Sequence, residues 1–285
     1  MDSGLYVVAT PIGNTADVSQ RAVSVLQNVD LIAAEDTRHS QHLLREIGVT
    51  APIVPYHDFS DARSGERILR CIEQGGSVAL ISDAGTPLIS DPGYRLVRQA
   101  QDSGFTVRPI PGACAAIAAL SVSGLPTNRF LYEGFLPAKA AARDTRLREL
   151  ADESATLVFF EAPHRIVQSL TAMVAALGGA REAVLAREMT KTFETVHRSS
   201  LENLLEFVTA DSNQEKGEIV VLVAGAEAVA EAELPGEIQT LLELLATELP
   251  TKTVASLVAS WSGLRKKPLY QHLLGLKDQR DDDSE

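Results

Sequence analysis

The chain alternates short apolar runs with longer segments in which apolar residues recur every three or four positions. The short runs, rich in Val, Ile and Leu, are typical of buried strands, and the periodic segments are typical of amphipathic helices. In the first part of the chain, strand-like runs occupy 5–10, 29–36, 52–58, 77–83 and 105–111, each followed by a helix-like or small-residue segment. This alternation predicts a mostly parallel sheet with helices on both faces.

A second alternation follows the segment GLPTNR at 124–129, which we interpret as a linker. Its strand-like runs are again separated by helix-like segments, so a second α/β domain is expected. Beyond an acidic stretch, three helix-like segments joined by short turns are typical of a small all-α module. The fold class predicted is therefore α/β, with two α/β/α domains that contain mostly parallel sheets. The expected boundaries are 1–124 and 125–232 for these domains, 233–277 for the helical module and 278–285 for an acidic tail.

The overall composition is that of an ordinary soluble globular protein, with 45% hydrophobic and 22% charged residues. The apolar run near the N-terminus is too short for a signal peptide or a membrane helix, so we expect a cytoplasmic protein with no membrane partner. Cys71 and Cys114 lie far apart and have no metal-type spacing. They are expected to be reduced, and no metal site is predicted.

The formal net charge of −12 argues against a protein that coats nucleic acid non-specifically, because phosphate binding needs clustered Lys and Arg. The charge is nevertheless segregated along the chain. Basic residues concentrate in the segments 129–148 and 250–277, and the second of these contains no acidic residue. Each segment is interpreted either as a local phosphate-binding patch or as a solvated helix face.

Three loops share one position in the predicted sheet. TPIGN (10–14), ISDAGTPLISDPG (81–93) and PIPGACAA (109–116) each follow a strand and precede a helix. In open α/β sheets this carboxyl edge is where ligands bind. The loops contain neither a G-x-G-x-x-G pattern nor a P-loop. Their Gly, Pro and small residues suit a pocket that recognises a nucleoside-type cofactor through backbone groups, although close packing of helix on strand explains any one loop equally well.

The second loop contains the dipeptide Ser-Asp twice. We interpret its first half as a turn at the end of a strand. In its second half, Ser90 or Asp91 is predicted to cap the next helix, with Pro92 near the first helical position. A metal site formed by Asp36, Asp83 and Asp91 has no supporting ligand spacing. The absence of a G-x-S-x-G elbow argues against a serine hydrolase.

Seven segments, in a fixed order, resemble a known family. They are VATPIGNTADVSQRAVSVLQNVDLIAAEDTR, LISDAGTPLISDPG, PIPGACAAIAALSVSGLP, GFLP, FFEAPHRI, AREMTKTFE and KGEIVVLVAG. Together they resemble the tetrapyrrole-methylase superfamily, and within it the branch that methylates the 2′-hydroxyl of a cytidine in small-subunit ribosomal RNA. The resemblance covers residues 5–225, and LPTKTVASLVASWSGLRKKPLYQHLLGLK resembles the C-terminal helical domain of that branch.

This resemblance implies two α/β domains with S-adenosylmethionine bound in the cleft between them. It also implies a homodimer, and the small ribosomal subunit with its 16S RNA as substrate. Thr86 stands where tetrapyrrole enzymes have Asp, a departure that fits the RNA branch. The residues that match cofactor-lining positions of the family are Pro11, Ile12, Ala84, Gly85, Thr86, Ile89, Cys114, Ala115, Glu161 and Met189.

Methylation of a hydroxyl group calls for a base within hydrogen-bond reach. Lys191, Glu188 and Asp83 are candidates, and the sequence does not choose among them. Glu188 and Lys191 are three residues apart, a spacing that equally suits an ion pair between them. RNA contacts are predicted in the two basic segments, at Arg143, Arg146, Arg148, Arg265, Lys266 and Lys267.

Two alternatives remain open. A tetrapyrrole C-methyltransferase would share the fold and cofactor, but it would need no basic helical module and would more naturally keep Asp at position 86. A non-enzymatic ribosome-binding protein would bind the small subunit and have no affinity for S-adenosylmethionine.

Overall fold

The computed structural model of the protein describes residues 1–57, 62–226, 234–264 and 266–282. The chain divides into two compact units, Met1–Ala226 and Glu227–Glu285. The first unit contains two five-stranded sheets. Within the described ranges no helix is long and apolar enough to cross a membrane.

The first sheet is parallel throughout, as the alternation of strands and helices predicts. Its strand order is β3-β2-β4-β1-β5. Because β4, β1 and β5 are neighbours, the loops that follow these three strands lie side by side at one edge. The strands are β1 (Gly4–Val8), β2 (Leu31–Ala34), β3 (Ile53–Pro55), β4 (Ser77–Ile81) and β5 (Val107–Ile110).

Helices cover both faces of the first sheet because successive strand residues point to opposite sides. Tyr6 and Val8 pack with one apolar cluster, and Leu5 packs with the other. Helix α2 begins at a well-formed cap, in which the side chain of Asp36 accepts hydrogen bonds from the backbone N–H groups of Arg38 and His39. The helices are α1 (Gln20–Asn28), α2 (Thr37–Glu46), α3 (Ala62–Glu73), α4 (Tyr94–Asp102) and α5 (Ala115–Ser123).

The second sheet has the order β6-β7-β10-β8-β9 and differs from the parallel arrangement expected. Only β6 and β7 pair in parallel, and the other three pairings are antiparallel. The cause is the strand β9 (Thr195–Ser200), which the sequence pattern does not predict. It follows β8 after a loop with no helix, and such a connection reverses the chain. The strands are β6 (Phe130–Phe135), β7 (Thr156–Glu161), β8 (Glu182–Arg187), β9 (Thr195–Ser200) and β10 (Ile219–Val223).

One face of the second sheet is covered by three helices, α6 (Ala140–Glu149), α7 (Ile166–Leu177) and α8 (Leu201–Ala210). The other face packs against α5, whose Ala116 and Leu120 join an apolar cluster with residues of β7, β8 and β10. Helix α5 therefore continues from the third loop of the first sheet onto the second sheet, and it connects the two halves of this unit. The α/β fold class is confirmed.

The second unit contains three helices, α9 (Gly236–Ala246), α10 (Thr251–Ser262) and α11 (Lys266–Asp282). They surround a small apolar core that includes Leu242 and Val258. Gly263 ends α10 with a φ of +72°, a conformation that glycine adopts without steric cost. The sequence prediction of three short-linked helices agrees with this arrangement.

Candidate functional site

The three loops at the edge of the first sheet are joined by hydrogen bonds. The backbone N–H of Thr10 donates to the carbonyl of Gly85 at 2.8 Å, and the N–H of Gly85 donates back to the carbonyl of Thr10 at 3.1 Å. The Thr86 hydroxyl donates to the carbonyl of Ala113 in the third loop at 2.9 Å. These bonds hold the three loops as one surface.

Gly85 occupies a position that a larger residue would disturb. Its φ is +82°, and a Cβ added there would lie 3.2 Å from Cγ2 of Ile12. Both the backbone conformation and the close approach of the first loop therefore favour glycine.

The loops form one wall of a cavity of about 370 Å³, which we call the first cavity. Its opposite wall comes from the second sheet and includes Phe135, Phe160 and Val220. Cys114 and Ala115, at the start of α5, close one side. All the cofactor residues predicted by motif line this cavity except Pro11, namely Ile12, Ala84, Gly85, Thr86, Ile89, Cys114, Ala115, Glu161 and Met189.

Aromatic side chains of the second sheet shape the far wall of the first cavity. The Phe160 ring packs edge-on against Tyr132 at 5.2 Å and against Phe135 at 5.8 Å between ring centroids. The Tyr132 hydroxyl lies 2.6 Å from the Ser90 hydroxyl. This hydrogen bond joins the second loop of the first sheet to β6.

Glu161 is a fixed carboxylate in the wall of the first cavity. Its side chain is fully buried and lies 3.4 Å from Nε of Arg165. One oxygen accepts a hydrogen bond from the Ala162 N–H at 2.8 Å, and the other accepts one from the Ser169 hydroxyl. Since these partners satisfy both oxygens, the carboxylate is held in one orientation.

Two loops that flank the first cavity carry unusual backbone conformations. Among the described residues, the non-glycine positions with positive φ are Leu88, Ser90, Glu188 and Thr190. Such conformations cost free energy and concentrate at ligand sites. The positive φ angles of Leu88 and Ser90 also keep residues 88–93 in a loop, and α4 begins only after Gly93. The predicted helix cap at Ser90 or Asp91 is therefore wrong.

Asp91 lines the first cavity beside Ser90. Burial raises the pKa of its carboxyl to about 6, with repulsion from Glu35 and Asp83 adding to the effect and a hydrogen bond from Ser82 opposing it. The sequence predicts Asp91 only as a possible helix cap and gives no supporting ligand spacing for a metal site there. Its role in the cavity wall depends on the fold of residues 88–93, which no motif indicates.

A second cavity, of about 540 Å³, adjoins the first and shares Ile12, Ala84 and Glu218 with it. Pro11 lines this cavity rather than the first. Its walls are more polar and include Asp83 and Lys191, two of the candidate bases, along with side chains of α2. The α2 residues that line it are Arg38, His39, Ser40, His42 and Leu43.

The α2 residues were missed by sequence analysis, although a signal for them exists. The segment TRHSQH follows the strand-like run 29–36 directly. Since β2 pairs in parallel with β4, the start of α2 lies at the same sheet edge as the second loop. This connection from strand to helix, taken together with the three loops, predicts basic side chains beside the pocket.

Lys191 is held by two carboxylates. Its Nζ lies 2.8 Å from Oε1 of Glu188 and 3.1 Å from Oε2 of Glu218. Burial lowers the pKa of Lys191, but these hydrogen bonds outweigh it and the net pKa is raised. The stem of Lys191 packs so closely on Gly13 that an added Cβ would lie 2.4 Å from its Cγ. A protonated, paired lysine does not suit the role of a base.

Glu188 is the partner of Lys191 rather than a free carboxylate. Burial raises its pKa, yet hydrogen bonds from Lys191 and from the backbone of Glu218 outweigh burial and lower the pKa overall. Glu188 is not among the residues that line either cavity. Of the three candidate bases, Asp83 is therefore the carboxylate that faces a cavity.

The basic residues predicted to contact RNA differ in how exposed their side chains are. Arg143 is only 6% exposed, so the prediction of a surface phosphate contact there is wrong. The Arg146 guanidinium is bound to Glu133 through two hydrogen bonds of 2.7 and 2.9 Å, whereas Arg148 is exposed. In the second unit, Lys266 is exposed at the start of α11. Two predicted contacts, Arg265 and the side chain of Lys267, lie outside the described residues.

Two known protein families match different parts of this chain. Residues 4–205 match the family described as tetrapyrrole (corrin/porphyrin) methylases. The chain belongs to the tetrapyrrole methylase family. Residues 232–277 match a second family, described as the RsmI C-terminal HTH domain. The tetrapyrrole methylase match spans the three loops and most of the second sheet, and the resemblance inferred from the motifs is confirmed.

Curated tetrapyrrole methylase relatives match nearly the whole chain. One, from Pseudomonas aeruginosa, is 53% identical over 95% of this chain and 96% of its own length, and its name is ribosomal RNA small subunit methyltransferase I. Another with the same name, from Escherichia coli O157:H7, is 50% identical over 95% of this chain and 94% of its own.

Solved structures show the same fold at low sequence identity. The methyltransferase CobJ superposes with a TM-score of 0.59 at 18% identity, covering 79% of this chain and 95% of its own. Diphthine synthase superposes with a TM-score of 0.58 at 17% identity, covering 77% of this chain and 89% of its own. These likenesses support the tetrapyrrole methylase fold.

Proposed function

We propose that the protein is a methyltransferase that uses S-adenosylmethionine to methylate the 2′-hydroxyl of a cytidine in 16S RNA of the small ribosomal subunit. Identities of about 50% to proteins named ribosomal RNA small subunit methyltransferase I support the substrate class. The nucleotide type and the 2′-position rest on the family resemblance of the motifs. The observation that carries the proposal is the first cavity, which three loops of one sheet and the wall of the other sheet enclose.

The residues of the first cavity fit this cofactor. Its volume of about 370 Å³ falls in the usual range for small-ligand sites. Ile89, Phe160 and Met189 offer apolar surface for a flat base and for the methylene groups next to the sulfonium, and the loops offer backbone N–H and carbonyl groups. The positive φ and close packing at Gly85 keep the backbone itself at the cavity wall.

The chain's contribution to the reaction is mainly alignment. When bound, S-adenosylmethionine supplies an electrophilic methyl group on a sulfonium. The protein then has to hold the acceptor oxygen in line and exclude water, and the hydrogen-bonded loops provide a fixed surface for this purpose. Phe135 and Phe160 form an apolar wall on the opposite side of the same space.

RNA binding is proposed at exposed basic residues outside the first cavity. Arg148 on α6 and Lys266 on α11 remain accessible. Residues 232–277 match the RsmI C-terminal HTH domain, and helix-turn-helix units are common nucleic-acid binders. The net charge of −12 disfavours loose binding to arbitrary RNA, which suits a large preformed substrate such as a ribosomal subunit.

We further propose that the protein acts as a homodimer in the cytoplasm, where ribosomal subunits are assembled. The apolar helix α5 supports the dimer, because it leaves Ile117 52% and Val122 51% exposed while its other side packs on the second sheet. Exposed apolar surface of this kind is typical of an interface. Sedimentation of wild type and Ile117→Lys tests this, and an unchanged dimer in the variant would contradict the placement on α5.

A methyl-transfer assay tests the proposed function. The protein is incubated with methyl-labelled S-adenosylmethionine and either unmethylated small ribosomal subunits or a tetrapyrrole precursor. Label in a cytidine ribose of the 16S RNA is the expected result. Label in the tetrapyrrole would favour a C-methyltransferase, and label in neither substrate, with no heat of cofactor binding by calorimetry, would favour a non-enzymatic ribosome-binding protein.

A further inference from the structure

The second cavity lies beside the proposed cofactor site and has a different chemistry. It measures about 540 Å³ and meets the first cavity at Ile12, Ala84 and Glu218. This volume is sufficient for one small organic ligand. A molecule in the second cavity would therefore lie against the wall that also borders the cofactor.

Helix α2 lines one side of the second cavity with donors suited to a nucleotide. Arg38, His39 and His42 are exposed and line the cavity from its first two turns. The cap formed by Asp36 fixes these turns. Guanidinium and imidazole groups bind phosphate oxygens and the edges or faces of unstacked bases.

Ser40 supplies an independent indication of a ligand. It lines the same cavity, is only 4% exposed, and its hydroxyl has no hydrogen-bond partner among the described residues. Buried hydroxyl groups are normally hydrogen-bonded, because an unsatisfied one costs free energy. A bound molecule with a carbonyl, hydroxyl or phosphate oxygen would satisfy it.

Asp83 lines the second cavity, and the next residue, Ala84, lines both cavities. One of its carboxylate oxygens accepts a hydrogen bond from the backbone N–H of Asp36 at 3.1 Å. No hydrogen bond to its other oxygen is present in the described part of the chain. By contrast, Lys191 in the same cavity is occupied by Glu188 and Glu218.

We propose that the second cavity binds the acceptor nucleotide of the RNA, unstacked from its neighbours, and that Asp83 accepts the proton of its 2′-hydroxyl. This inference rests on the proposed function. In the transfer the 2′-oxygen bonds the methyl carbon, whose bond to sulfur breaks with the electron pair staying on sulfur, and the hydroxyl proton passes to the Asp83 carboxylate. Arg38, His39 and His42 hold the phosphate and base, and Ser40 donates to the nucleotide.

Nuclear magnetic resonance of the histidine side chains tests occupancy of the second cavity. Cytidine 5′-monophosphate is added at millimolar concentration to the full-length protein saturated with S-adenosylhomocysteine. The imidazole signals of His39 and His42 are expected to shift in a saturable manner. His197, which stacks on Phe207 at 3.9 Å between ring centroids, is the internal control and should not shift.

Two outcomes of this titration would overturn the inference. One is that the signals of His39 and His42 do not move, and the other is that the nucleotide displaces S-adenosylhomocysteine and so occupies the first cavity. If wild-type protein methylates ribosomal subunits but shows either outcome, the inference fails while the proposed function stands. If wild-type protein methylates no RNA, the proposed function fails, and the acceptor role of the cavity fails with it.

Asp83→Asn tests the proton acceptor, since the amide oxygen still accepts the Asp36 N–H hydrogen bond. Single-turnover methylation of small subunits is expected to fall by about 10²–10⁴-fold, the usual contribution of general base catalysis. Cofactor affinity by calorimetry and the nucleotide-induced histidine shifts should persist. Asp102→Asn, an exposed carboxylate on α4, is the matched control and should keep the full rate. A full rate in Asp83→Asn would overturn the assignment.

Discussion

The two cavities share a wall, yet each contains an aspartate whose carboxylate has different surroundings. Asp83 and Asp91 belong to the same loop and to the same Ser-Asp repeat. Asp91 lines the first cavity, where burial raises the pKa of its carboxyl to about 6. Asp83 lines the second cavity, where a backbone N–H donates to its carboxylate. The two copies of the Ser-Asp dipeptide thus place their aspartates in different environments within one loop. The surrounding fold, rather than the dipeptide, determines the environment of each aspartate.

The largest expected effect on ligand affinity distinguishes the first cavity from the second. Gly85→Val places a branched side chain at a φ of +82°, where the added Cβ already lies 3.2 Å from Ile12. Strain and overpacking of about 1–3 kcal/mol are expected at such a site. Calorimetry should show S-adenosylmethionine affinity reduced by about 100-fold, which corresponds to about 2.7 kcal/mol. Nucleotide binding in the second cavity should be affected much less.

Gly104→Val provides the matched control for this variant. Gly104 also has a positive φ, +76°, but an added Cβ would meet no atom within 4 Å. It therefore reproduces the backbone strain without altering the cavity, and cofactor affinity should stay at the wild-type value. Equal losses of cofactor affinity in both variants would show that the effect of Gly85→Val comes from general destabilisation rather than from the first cavity.

The contrast between the cavities also shows what sequence can predict. The loops of the first cavity were predictable because strand, glycine-containing loop and helix follow one another three times, and parallel strands bring such loops to one edge. The far wall was harder to predict, since Phe135 and Phe160 come from β6 and β7 of the second sheet, whose strand order the sequence does not indicate. The run TVHRSS is short and mostly polar, so periodicity alone does not identify it as a strand.

Helix phase explains the error at Arg143. The segment RDTRLREL contains three arginines that look equivalent in composition. Once the helix forms, Arg143, Leu147 and Leu150 fall on one face at spacings of four and three residues, and all three are buried. Among these three arginines Arg148 is the exposed one, whereas Arg146 is half-buried and binds Glu133.

A smaller effect is expected for the buried carboxyl of the first cavity. Because the folded-state pKa of Asp91 is raised from 3.8 to about 6, the native state binds this proton more tightly than the unfolded state does. Ionisation therefore destabilises the fold above pH 6, and this penalty disappears as the pH falls from about 6 towards 3.8. Asp91→Asn should raise the free energy of unfolding at pH 8 by about 1 kcal/mol, after allowance for its partial exposure.

Urea unfolding at several pH values measures this effect. The gain from Asp91→Asn should shrink steadily between pH 7 and pH 4, where the wild-type carboxyl becomes protonated. The exposed control Asp102→Asn should show no such gain at pH 8. If Asp91→Asn stabilised the protein equally at all pH values, ionisation of Asp91 would not be the source of the stabilisation. The contrast drawn between the carboxylates of the two cavities would then be wrong.

The hydrogen bond between Ser90 and Tyr132 should contribute less. Tyr132→Phe removes the hydroxyl at 2.6 Å but keeps the ring against Phe160. A loss of about 0.5–1.5 kcal/mol in the free energy of unfolding is expected, near the lower end because Ser90 is exposed. Thermal unfolding of Tyr132→Phe, Ser90→Ala and the double variant checks this. Fully additive losses would show that the two hydroxyl groups do not stabilise each other across the first cavity.

The smallest expected effect lies outside both cavities. Arg148 is exposed on α6, so Arg148→Ala should reduce the slope of log affinity against log salt for small-subunit binding by about one unit. Arg143→Met is the matched control from the same helix. Its guanidinium is buried, with Nε and Nη1 unpartnered among the described residues, so an apolar replacement should leave the slope and the fold intact. If Arg143→Met lowered the slope instead, the helix phase that separates these two arginines would be wrong.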